Sequence, residues 1–132
     1  MNMKWTEDNL DVLQNLEFCV VDIWRANREM TDYAALRAYE AAYQYYRAEL
    51  RGHPPKPPTL TGLDAQAFAA VQAMCEFRLG RGRNPLAGPK TVPPVPLEKI
   101  ADCLRELAKS VARHTKQSGR QGYLNFIDRF LE

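Results

Sequence analysis

The sequence predicts an all-α protein: an up-down bundle of four main helices with a short fifth helix at the C-terminus and two proline-rich connectors, in one domain spanning residues 1–132. Three observations predict it. All nine prolines fall in two places, Pro54–Pro58 and Pro85–Pro96, and the seven glycines stand at 52, 62, 80, 82, 88, 119 and 122. Proline removes a helix donor and crowds the preceding turn, and glycine costs backbone entropy, so long stretches free of both are helix candidates. Those stretches carry apolar residues at three- and four-residue spacing. No segment reads as a strand: Val92-Pro-Pro-Val95 is broken by proline, and Val20-Val21 sits inside a helical pattern.

The first helix is expected over Thr6–Arg28. Thr6 can cap it, with Glu7 and Asp8 in the first turn, where negative charge meets the helix dipole. Leu13, Leu16, Val20, Ile23, Trp24 and Asn27 make one stripe, and Val12, Phe18, Cys19 and Val21 extend apolar character beyond it. A helix apolar on more than one face is either central or shared with a second subunit. The second is expected over Tyr33–Arg51, between Asp32 as cap and Gly52 as stop. Leu36, Tyr39, Tyr43, Tyr46 and Leu50 line one side, and alanines leave room for close approach. The short link at Glu29–Asp32 makes the first two helices antiparallel neighbours.

The third helix is expected over Asp64–Leu79, stopped by Gly80, with Ala67, Val71, Met74, Cys75 and the Arg78 stem inward. The fourth, Leu97–Lys116, opens on Pro96 and Glu98 and repeats Leu97, Ile100, Leu104, Leu107 and Val111, the cleanest amphipathic pattern in the chain. The fifth, Tyr123–Leu131, offers Tyr123, Phe126, Ile127 and Phe130.

Apolar residues at 45% and charged residues at 26% match soluble globular proteins and argue against disorder. No apolar run approaches the roughly 18–20 residues a bilayer span needs. The opening MNMKWTEDN lacks the apolar run of a signal peptide, and three cysteines without a CxxC spacing read as small buried hydrophobes, so a cytoplasmic location is expected. The net charge is only +2. It is uneven: residues 1–32 carry three basic and seven acidic groups, net −4, and residues 33–132 net +6.

Three site readings follow. The tyrosine side of the second helix (Tyr39, Tyr43, Tyr46), with Val12 and Phe18 of the first, is the expected contact surface of a small, non-enzymatic, self-associating interaction module, a homodimer or a binder of a protein partner. The alternative is an anionic-ligand or nucleic-acid binder through the Arg-rich connector 78–90. There Arg78, Arg81, Arg83 and Lys90 supply forked or point charges, and Lys109, Arg113, Lys116 and Arg120 can add to them. Against it, Arg78 and Arg81 at a helix end can pair with acids of the first helix, and the connector has no aromatic residue for base stacking. The third reading, a pocket enzyme or metal protein, uses His53 and His114, which share a pole if the helices run up-down-up-down. No ExxH pair and no GxSxG turn is present, so no catalytic residue, metal ligand or cofactor is assigned. Asp22 and Glu40, set among apolar residues, are candidates for buried pairs with Arg25, Arg37 or Arg78.

Overall fold

The computed structural model describes residues 7–27 and 32–114. It contains four helices, α1 (Glu7–Ala26), α2 (Asp32–Leu50), α3 (Gly62–Arg78) and α4 (Leu97–His114), and no strand among the described residues. The fifth helix expected at 123–131 and the Thr6 cap lie outside the described residues.

The glycine stops act as the sequence implies. At the end of α2 the Gly52 N–H donates to the Glu49 carbonyl at 3.0 Å and the His53 N–H to the Ala48 carbonyl at 2.9 Å. At the end of α3 the Gly80 N–H donates to Phe77 at 3.0 Å and the Arg81 N–H to Glu76 at 2.8 Å. Both are Schellman closures, and both put the glycine at positive φ, +74° and +80°, where a side chain is strained. The start of α3 differs from expectation by two residues. Thr61 holds the cap position and Gly62 enters the helix, although Thr61 makes no side-chain capping bond.

One core joins all four helices. Val12, Leu13, Leu16, Cys19 and Val20 enter from α1, and Leu36, Tyr39 and Tyr46 from α2. Val71, Met74 and Cys75 enter from α3, and Ile100, Leu104 and Leu107 from α4. The substantial helix contacts are α2 with α4, α2 with α3, α1 with α3, and α1 with α4. The expected packing of α1 on α2 is therefore corrected. The short link holds their ends near each other, but α3 and α4 occupy the faces on which each of them packs.

Hydrogen bonds fix the direction of three helices. Arg37, early in α2, meets Asp64, early in α3, at 2.7 Å. Tyr46, late in α2, donates to Glu76, late in α3, at 2.9 Å. Helices α2 and α3 thus run parallel. Arg78 at the end of α3 meets Asp11 near the start of α1, so α1 opposes both. The Val95 N–H donates to the Arg78 carbonyl at 2.9 Å, so α4 starts at this same pole. An up-down-up-down order is not what these bonds describe.

Parallel neighbours need a return path, and this is the work of the first proline-rich connector. From Leu50 back to the level of Gly62, two residues before the Asp64 that meets Arg37, is about 22 Å at 1.5 Å per residue along α2. The eleven residues 51–61 at ~3.1 Å each in extended form reach about 34 Å. Deleting Pro54–Pro58 leaves a reach of at most about 21 Å. We expect that deletion to lower stability by more than about 3 kcal/mol in chemical denaturation. Inserting five Gly/Ser residues there should cost under about 0.5 kcal/mol. Antiparallel α2 and α3 would tolerate the deletion.

Candidate functional site

The pole where α2 and α3 end and α4 begins gathers most of the groups singled out by sequence. Arg78 is buried, its side chain 5% exposed. Its Nη2 donates to Asp11 Oδ2 at 2.8 Å and its Nη1 to Asn15 Oδ1 at 2.6 Å. Burial pushes the Asp11 carboxyl up, and the Arg78 hydrogen bond and charge outweigh it, leaving Asp11 below its ordinary value. Arg81 grips Glu49 with both terminal nitrogens, one bond being 2.8 Å, and lies 3.7 Å from Glu76. The bond from Arg81 holds Glu49 below the usual carboxylate range despite partial burial. Tyr46 completes the chain through Glu76, and burial raises its hydroxyl pKa.

Two of the four cations proposed for anion binding are therefore engaged inside the molecule. The other two remain outward. Arg83 and Lys90 are exposed and line a cleft of about 380 Å³ with Asn84, Leu86 and Gly88. Asn84 shapes this loop: its Oδ1 accepts from the Leu86 N–H at 2.9 Å, and its Nδ2 donates to the Pro89 carbonyl at 3.0 Å. Of the cations in α4, Arg113 lies 3.7 Å from the buried Glu106. Lys116 and Arg120 lie outside the described residues.

The tyrosine surface is corrected by burial. Tyr39, Tyr43, Tyr46 and Val12 all lie in the intramolecular core, because α2 turns the tyrosines, and α1 turns Val12, toward α3 and α4. Phe18 alone of the five contact candidates is exposed, at 50%. The histidines do not converge. His53 follows the end of α2, whereas His114 ends α4, which starts at that pole and extends about 27 Å from it. Among the described residues no group of three or more His, Cys, Asp or Glu side chains is placed to hold a metal ion. Asp22 is exposed, Glu40 is buried, and Arg37 and Arg78 bond to Asp64 and Asp11.

All three thiols are buried. Burial pushes Cys19 and Cys103 up to about 12 and Cys75 well above its ordinary value. The Cys19 thiol donates to the Leu16 carbonyl at 2.9 Å. None is an activated nucleophile.

A second groove was not anticipated by sequence. It lies between α2 and the first connector, about 400 Å³, with Arg47, Arg51, His53 and Lys56 among its lining residues. The spacing of Arg47 and Arg51 signalled one helix face. That the connector doubles back over this face depends on the parallel course of α2 and α3, for which no local pattern exists.

No protein-family model, no curated protein and no solved structure matches this chain.

Replacing Asp11 with Ala strands a buried guanidinium, whereas replacing Arg78 with Met frees a carboxylate that is 62% exposed. We expect Asp11→Ala to cost about 2 kcal/mol and Arg78→Met under about 1.5 kcal/mol in urea denaturation. Because the folded-state Asp11 pKa is depressed, its contribution is present above the ordinary 3.8 and is lost as pH falls through the lower folded value. Asp11→Asn should flatten stability against pH in that acidic window. Separately, the native protein at pH 7 should leave an aromatic disulfide reagent unconsumed until denaturant exposes the three thiols.

Proposed function

We propose that this chain is a small, non-enzymatic, cytoplasmic helical-bundle module that works by protein contact and associates with a second copy of itself through α1. The observation that supports this reading is an apolar ridge. Phe18 and Trp24 are 50% and 49% exposed, and only Leu50 joins them among exposed large hydrophobics of the described residues. Half-buried Val21 stands between them, so 18, 21 and 24 follow one i±3 row of the helix surface.

The flanking charges favour a second copy as the occupant. Glu17 and Arg25 are both exposed beside the ridge. In an antiparallel α1–α1 contact centred on Val21, Phe18 faces Trp24 and Glu17 faces Arg25. A two-fold interface makes each pairing twice. No helix among the described residues is long and apolar enough to cross a membrane; a protein partner is the simpler cover for the ridge than a bilayer.

A second reading, anion binding at the Arg83–Lys90 cleft, draws on one observation: among the described residues no carboxylate lines that cleft. Binding there would weaken steeply with salt and vanish in Arg83→Ala/Lys90→Ala.

Sedimentation velocity across about 1–100 µM tests the self-association reading. A dimer should form, and Phe18→Glu should weaken it at least about tenfold. Arg25→Glu should weaken it too, and the swap Glu17→Arg/Arg25→Glu should restore it. A clean monomer throughout the range refutes the reading.

A further inference from the structure

We propose that the groove between α2 and the 51–58 connector is a binding site for a phosphorylated small molecule with a flat apolar part, a nucleoside phosphate in chemical class. The proposal is independent of self-association through α1 and uses none of its residues.

The lining of the groove is of two kinds. Part carries positive charge: Arg47 on α2 and Arg51 just past its end lie one turn apart, and His53 and Lys56 join them from the connector. Among the described residues no carboxylate lines it. The nearest acid in sequence, Glu49, is turned away and held by Arg81. Arg51 and Lys56 are exposed and enter no ion pair among the described residues. The Arg47 guanidinium carbon lies 5.7 Å from the centroid of the Tyr43 ring. An arginine pair at i and i+4 with a lysine beside it suits a diphosphate or triphosphate, whose oxygens accept several forked and point-charge donors together.

The other part is apolar, with Ala41 and Ala48 of α2 and the rigid rings of Pro54 and Pro58 from the connector. Tyr45 borders it, its ring packed edge-on against Tyr46 at 5.1 Å and against Phe68 at 6.5 Å. Gln44 adds an amide, both donor and acceptor, to the lining. The prolines and alanines offer apolar contact to a flat heterocycle and the amide supplies hydrogen bonds for its edge, whereas inorganic phosphate uses only the charged groups. The volume of about 400 Å³ lies within the range of small-ligand sites, and the walls are preorganised because the connector is extended and proline-rich.

The test titrates the untagged full chain with adenosine triphosphate, with inorganic pyrophosphate and with a series of single-stranded oligonucleotides, by calorimetry and backbone amide NMR. The nucleotide should bind at least about tenfold tighter than pyrophosphate and shift the amides of residues 44–56. Arg51→Ala/Lys56→Ala should weaken it at least about tenfold, and Arg83→Ala/Lys90→Ala should leave it within about twofold. All four side chains are exposed, so unchanged thermal unfolding of both variants certifies their fold. Absence of nucleotide binding overturns the proposal. So does equal binding of pyrophosphate, equal loss in the two double variants, or affinity that grows with oligonucleotide length, which would mark a nucleic-acid track instead.

Discussion

Arg78 fastens three segments of the chain at one point. Its guanidinium holds Asp11 and Asn15 of α1, it is the last residue of α3, and its carbonyl receives the Val95 N–H just before α4 begins. A guanidinium this deep is costly to desolvate, and only bonded partners compensate for the lost water. Those partners come from one turn of α1, so α1 can dock in only one register against α3. The guanidinium bonds tie the end of α3 to the start of α1, and the Arg78 backbone carbonyl marks where α4 departs.

A second fastening ties α2 to α3 at the same pole. Glu49 and Arg81 at one end and Glu76 and Tyr46 at the other are hydrogen-bonded pairs, joined by a 3.7 Å ion pair between Arg81 and Glu76, beside the two glycine closures. Together the two fastenings divide the basic connector by role. Its first two arginines hold the structure together, and its later cations face water. The same division gives the pole its electrostatic character, because the acids there are taken up by internal arginines while Arg51, Lys56, Arg83 and Lys90 are left outside.

Local pattern carried much of the fold. The helix stops at Gly52 and Gly80, the Ile100–Leu104–Leu107 stripe and the buried cysteines follow from residue type and spacing alone, since backbone entropy and apolar periodicity act over a few residues. Tyr39, Tyr43 and Tyr46 misled because tyrosine suits a core and an interface equally; which one it enters depends on where α3 and α4 pack. Arg78 with Asp11 and Arg81 with Glu49 join residues dozens of positions apart, and any of several acids satisfies such a pair on paper. The 51–58 groove was hidden for the same reason: its walls are near in sequence but meet only because the chain must turn back over α2.

The pairing of helices has a consequence for the integrity of the chain. Since α1 and α2 each lie on α3 and α4 and hardly on each other, the two sequence halves are not two subdomains. Either half made separately would keep its apolar stripes uncovered. A cut within residues 51–61 would not release a folded piece, and the severed parts would hold or fall together as complementary fragments.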